Sequence, residues 1–172
     1  METWEAITTR RNVREFSPEP LKPEHLDRIL EAAWRSPSSR NSQPWDFVVV
    51  TDRGGLEELS KVWRGGAHIA GAAAAVVIVI DDEEDQHARE SARYDIGQAS
   101  MQMMIAAIDV GVVSGHSSVG EFDLARKLLA LPEGKMARYI IDFGYPAGDA
   151  PLKPIRRPDR RPFDQVVHRG SW

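Results

Sequence analysis

Three arginines, Arg10, Arg11 and Arg14, fall within five residues near the start of the chain, and Arg156, Arg157, Arg160 and Arg161 cluster near its end. A guanidinium group carries several N–H donors in a fixed fork that matches phosphate oxygens, so either cluster could clamp an anion. A solvated basic face fits the same spacing. The rest of the composition makes the clusters informative, because 26 Asp plus Glu against 22 Lys plus Arg leave a formal charge of -4. These arginines do not belong to a basic background, and the balance gives no general attraction to nucleic acid or to an anionic membrane.

Between the clusters lies Ser36-Pro37-Ser38-Ser39-Arg40-Asn41-Ser42-Gln43-Pro44-Trp45, dense in small donors and acceptors. Ser, Asn and Pro are ordinary loop residues. A loop made only for connection has no need of Gln43 and Trp45 at its exit; together they suit a ligand with a polyhydroxy chain and a heteroaromatic ring, such as a flavin. His116 sits among Gly115, Ser117 and Ser118, and His68 borders an apolar stretch. Neither has a second histidine or a carboxylate at a spacing useful for a metal. The Gly-x-Ser-x-Gly elbow of hydrolases is absent. No Gly-x-Gly-x-x-Gly follows a strand, and there is no Walker motif, which disfavours a dinucleotide-fold dehydrogenase. The chain has no cysteine, so disulfides, thiolate catalysis and Cys-ligated zinc or iron–sulfur centres are excluded.

The elements that must position these residues follow from pattern. Short helices are expected at Trp4 to Thr9 and about Leu56 to Val62, the latter after a break at Gly54-Gly55. Leu26, Ile29, Leu30 and Ala33 give a helix from about Glu24 to Arg35 one buried stripe. Phe47 to Val50, Ala75 to Ile80 and Ala137 to Phe143 read as buried strands. The acidic run Asp81 to Asp85 reads as a solvated loop. A long helix is expected from Arg89 to Val110. It is apolar on most sides through Ile96, Ala99, Met101, Met103, Met104, Ile105 and Ile108, so it should be packed by its own domain and by a partner subunit. Gly111 to Val119 reads as a glycine–serine segment, and Glu121 to Leu131 as an amphipathic helix. From Pro146 the chain turns proline-rich, with Pro151, Pro154, Pro158 and Pro162, and ends in Val166-Val167 and Trp172. Those terminal apolar residues favour an extended arm with somewhere to dock over a disordered extension.

The 172 residues fit one domain, with the arm at about 146–172. At 42% hydrophobic and 28% charged residues the balance is that of an ordinary globular α/β protein. Met1 to Glu5 lacks the basic-then-apolar order of a secretory signal. The longest apolar run, Ile69 to Ile80, is too short to span a bilayer. A cytoplasmic address is compatible with all of this.

The segment Arg10-Arg11-Asn12-Val13-Arg14-Glu15-Phe16 resembles the opening of the nitroreductase family, Arg-Arg-Ser-x-Arg-x-Phe. Pro37 to Phe47 is similar to that family's Pro-Ser-x-x-Asn-x-Gln-Pro-Trp-x-Phe. Asp95-x-Gly97, taken as the opening of the long helix, Gly144-Tyr145-Pro146, and the closing Arg160-Arg161-Pro162-Phe163 also resemble family segments, in the expected order over nearly the whole chain. The resemblance implies an α+β, three-layer α-β-α fold with a central, mainly antiparallel sheet. It further implies a domain-swapped homodimer that exchanges terminal arms and builds two FMN sites at its interface.

Carried over by residue, Arg10, Arg11 and Asn12 would meet the phosphate and ribityl chain, with Arg14 near the cofactor. Asn12 departs from the usual serine and has a longer reach. Pro37, Ser38, Ser39 and Asn41 would come from the partner, and Arg160 or Arg161 would complete the phosphate clamp. Gly115 and His116 would pass beside the isoalloxazine ring, where the family offers backbone donors. No catalytic side chain and no metal are implied. The implied activity is transfer of electrons from NADH or NADPH to small electron-poor acceptors such as nitroaromatics or quinones. Specialised flavin dehydrogenation, dehalogenation and flavin cleavage occur in the same family, and a non-catalytic flavin-binding or interaction protein fits the bland reading of each motif.

Overall fold

The run Ala74–Asp81 (β2) is the strand around which the rest assembles in the computed structural model, which describes residues 1–83, 85–148 and 152–172. Seven of its eight residues are buried, as expected for a β-branched run covered on both faces. It pairs antiparallel with Asp46–Val50 (β1) on one side and Lys135–Gly144 (β4) on the other. Val113–Ser118 (β3) pairs antiparallel with the outer edge of β4, so the strand order is β1-β2-β4-β3. Lys135 on β4 bonds both Asp46 on β1, at 2.9 Å, and Asp81 on β2, at 2.7 Å. Hydrogen bonding to these two carboxylates, Asp81 foremost, raises the Lys135 ammonium above its ordinary value and clamps three strands at one end.

Helices cover both faces. Val76, Ile78 and Ile80 of β2 face Pro23–Trp34 (α2) and Gln86–Asp109 (α4), where Ile29, Ala33, Ile96, Met103 and Ala107 are buried. Ala75, Val77 and Val79 face Arg53–Leu59 (α3) and Phe122–Leu128 (α5), with Leu56, Leu59, Ile69 and Ala125. This strict alternation of period two makes three layers, α-β-α, of an α+β protein. On β4 the alternation breaks once. Ile78 pairs with Tyr139 but Val79 with Ala137, so Arg138 is an extra residue. That bulge lets Ala137 and Ile140 share one face and sends Asp142 to the same side.

Several expectations from sequence are corrected. Gly54-Gly55 does not break the chain before α3 but lies in its first turn, because the Asp52 side chain caps the Gly55 N–H at 2.7 Å. A side chain at Gly55 would fall 2.7 Å from Asp52 Oδ2 and from Val50 Cγ1, so only glycine allows this cap. The acidic run is not a plain solvated loop: Asp81 ends β2 and Asp85 caps α4 through the Ala88 N–H at 2.7 Å, while Glu84 lies outside the described residues. That cap starts α4 three residues earlier than expected and puts Asp95-x-Gly97 in mid-helix rather than at its opening. The glycine–serine segment Gly111 to Val119 contains the strand β3, formed by pairing with β4 despite a poor local propensity. Among the described residues, no helix is long and apolar enough to cross a membrane.

Beyond Gly148 the expected arm resumes at Leu152, Pro151 being outside the described residues. Leu152 packs on Ala6, Ile108 and Val113, and the Ile155 N–H donates to Thr8 O at 2.9 Å. From there to Trp172 every residue of the arm is exposed, and Phe163, Val166 and Val167 cover no core in the single chain.

Candidate functional site

Thr3–Thr9 (α1) ends at Arg10, and the chain then runs beside the outer edge of β3. Asn12 forms a parallel bridge with Ser114, and the Val13 N–H donates to Ser114 O at 2.9 Å. Further on, Ser17 N–H donates to Tyr145 O at 2.9 Å, and Phe16 bridges Pro146. The segment thus extends the sheet by an irregular fifth strand and brings Arg10, Asn12, Gly115 and His116 together. Arg10 rests on α4, its Nη1 3.9 Å from the sulfur of Met104. Arg11 turns to the arm instead: its Nε donates to Thr9 O at 3.1 Å, and its Nη2 donates to Lys153 O. Arg14 is exposed.

The edge is built on a close approach. Gly115 pairs with Asp142 across β3 and β4, and a Cβ there would lie 2.6 and 2.7 Å from the two Asp142 carboxyl oxygens and 2.8 Å from Val13 O. Asp142 is 0% exposed, and its Oδ2 is 2.7 Å from Nδ1 of the buried His68. Sequence spacing offered His68 no carboxylate; the fold supplies one from 74 residues away. A lone Asp inside Ile140-Ile141-Asp142-Phe143 was the available signal, since a buried polar side chain needs a partner. Thr9 Oγ1, Ser36 Oγ, Ser114 Oγ and Asp142 Oδ1 are buried without a hydrogen-bond partner among the described residues. Three of them, on Thr9, Ser114 and Asp142, flank the Arg10–Asn12 segment and Gly115, so polar capacity is concentrated there.

His116 stacks obliquely on Tyr139, centroids 5.6 Å apart. Part of the ring is open to solvent, but enough is covered that desolvation holds its pKa below the ordinary imidazole value. Asp142 opposes that shift, and His68 and Arg10 reinforce it. A depressed folded value means that the unfolded chain takes up a proton which the folded chain resists. Stability from this group is therefore present above about pH 6.5 and is lost as pH falls below it. His116→Gln should consequently lose less melting temperature than the parent between about pH 7.5 and about pH 5.5. Equal losses in the two proteins would remove His116 from the acid response.

The serine-rich loop occupies a different place. Ser38 Oγ accepts the Gln43 N–H at 2.9 Å, and Asp95 of α4 accepts the Ser39 N–H at 3.0 Å. Pro37, Ser38, Ser39, Glu90 and Tyr94 help to line a cavity of about 520 Å³ along α4. Arg40, Asn41 and Gln43 have φ of 53°, 57° and 49°, the left-handed region, which costs non-glycine residues roughly 1–2 kcal/mol each and asparagine less. Trp45, expected to meet a ligand ring, is partly buried against the core and stacks on Phe47 at 6.2 Å. On α4 the loop's anchor Asp95 and the Arg10 contact Met104 lie nine residues apart, roughly 13.5 Å at 1.5 Å per residue. The expected site residues thus fall into two groups on one chain, Arg10 to Asn12 with Gly115 and His116, and Pro37 to Asn41. Arg160 and Arg161 lie on the exposed arm, with Arg160 Nη1 donating to Asp159 O at 2.5 Å.

Residues 7–71, which span the first arginine cluster and the serine-rich loop, match the model of the nitroreductase family. Over 170 residues the chain is 30% identical to the "Putative NADH dehydrogenase/NAD(P)H nitroreductase" of Archaeoglobus fulgidus, covering 96% of each. The chain belongs to the nitroreductase family. Among solved nitroreductase-like structures, an FMN-dependent nitroreductase of Clostridium difficile superposes with a TM-score of 0.83 at 25% identity, covering 98% of this chain and 99% of that one. The NADPH:FMN oxidoreductase of Vibrio harveyi, solved with NAD+, gives 0.82 at 25% identity, covering 99% of this chain and 77% of that one. The antiparallel three-layer fold of this chain is therefore the nitroreductase fold.

Proposed function

We propose that this nitroreductase-family chain is an FMN-dependent oxidoreductase that takes electrons from NADH or NADPH and passes them to small electron-poor acceptors such as nitroaromatics or quinones. The observation that carries the reading is the convergence of Arg10, Asn12, Gly115 and His116 at one sheet edge, beside polar atoms that lack partners within the chain. The names of the C. difficile and V. harveyi proteins support the choice of FMN. FMN, when bound, supplies the reversible uptake and release of hydride and electrons. The residues of the chain bind and orient it. Arg10 and Asn12 offer charged and amide donors suited to phosphate and ribityl oxygens. Partial desolvation lowers the His116 pKa, which disfavours a second cation beside Arg10.

The proposed assembly is a homodimer with two shared sites. An antiparallel crossing of two α4 helices midway between Asp95 and Met104 would bring the loop half-site of one subunit level with the arginine half-site of the other. A groove of about 610 Å³ between α1, α2 and α4, lined by Ala6, Ala32, Gln102, Ile105 and Ala106 among others, supports a partner on this face. Trp4, Trp34 and Met101 add exposed apolar area. Cytoplasm is the proposed setting, where both reduced nicotinamide nucleotides are at hand.

The protein should bind about one FMN per subunit, and NADH or NADPH added anaerobically should bleach the flavin absorbance, with recovery on adding a quinone. Arg10→Ala should weaken FMN roughly ten- to hundredfold, the equivalent of one charge-assisted hydrogen bond. A full-length protein that does not take up FMN sinks the reading. A loaded dimer bleached by another donor, but by neither nucleotide, replaces it with a specialised oxidoreductase of the same fold.

A further inference from the structure

We infer that Asp95 is a positioning residue, a buried anchor on α4 that holds the strained loop Ser38–Gln43 in its cofactor-facing conformation. The inference rests on the FMN reading above. Asp95 is 1% exposed in the middle of a 24-residue helix. Aspartate is a poor helix-interior residue and a costly one to bury, so its presence there calls for a partner that repays it. The partner is outside the helix. Oδ2 accepts the Ser39 backbone N–H at 3.0 Å, and Oδ1 is 3.3 Å from Gln98 Nε2, which completes the carboxyl group.

The loop it holds would not keep its shape from local preference. Of the three left-handed residues, only Asn41 is of a type that adopts that region readily; Arg40 and Gln43 are not. The bonds within the loop, Asn41 N–H to Ser38 O at 3.0 Å and Gln43 N–H to Ser38 Oγ at 2.9 Å, tie it to itself. The Ser39–Asp95 bond ties it to the scaffold. Strain of this kind persists only where surrounding structure over-determines it, and it concentrates at ligand clamps. Asp95 thereby fixes the height along α4 at which Pro37, Ser38 and Asn41 are presented.

The test uses the full-length chain, FMN titration followed by flavin fluorescence, and amide hydrogen exchange across residues 38–43. Asp95→Ala should weaken FMN about ten- to hundredfold and speed exchange in that segment. Asp95→Val, closer in volume, replaces it should the alanine variant not fold. Asp95→Asn keeps one oxygen for Ser39, with its amide toward a Gln98 side chain turned by half a rotation, and should stay within about threefold of the parent. Arg40→Gly in the Asp95→Ala background removes part of the left-handed cost and should recover part of the affinity. Parental affinity and exchange in Asp95→Ala, with only its melting temperature lowered, overturns the anchor, as does an equal loss in the alanine and asparagine variants. If the parent takes no FMN, the flavin reading fails, while Ser39 exchange still decides the anchor.

Discussion

A chain ending before residue 154 is expected to run as a monomer and to lose FMN, whereas the intact chain should be a dimer that retains it. In the single chain the arm is attached near its root, by the Ile155 N–H to Thr8 O and by Lys153 O to Arg11. Beyond that root, Phe163 is 70% and Trp172 100% exposed, and Val166 and Val167 are uncovered. Leaving such side chains in water forgoes roughly 25 cal/mol per Å² of apolar area, which docking on a second subunit would recover. The arm also carries Arg160 and Arg161, the proposed second half of the phosphate clamp, both exposed in the single chain. Truncation should therefore remove interface and cofactor affinity together. Sedimentation and FMN titration check both, and a truncated chain that stays dimeric and yellow would mean that the arm serves neither.

His68→Ala should lower stability by roughly 1–3 kcal/mol, the usual consequence of leaving a buried polar group without its hydrogen-bond partner. Asp142 is fully buried and Oδ1 has no donor among the described residues, so losing His68 leaves neither carboxyl oxygen paired there. At about 2–4 °C per kcal/mol for a domain of this size, melting should fall by roughly 2–12 °C. Gly115 rests directly on those oxygens, so the edge strand and the Val13 segment beside it should loosen first, and FMN affinity should fall with it. Replacing both His68 and Asp142 by apolar residues of similar volume should cost less than the single change. A melting point unchanged in His68→Ala would show that the pair is not what holds this edge.

Elements with strong local signals are legible in the amino-acid order alone. Val76 to Ile80 and Phe47 to Val50 are apolar and β-branched enough to be strands in any context, and the stripe of Ile29 and Ala33 already defined the buried face of α2. The sequence also carried the family motifs, hence the fold. The tertiary structure decided what depends on partners distant in the chain. Gly111 to Val119 is a poor strand alone, and β3 exists because the exposed edge of β4 offers it a ladder of hydrogen bonds. Asp142 and His68 are separated by 74 residues and read as unrelated until burial forces each to find a polar partner. That Asp95 bonds the serine-rich loop while Met104 meets Arg10 nine residues further along α4 is likewise invisible to spacing. A helix places residues by rise and angle, but which loops reach each turn is set by the packing of the whole sheet against it.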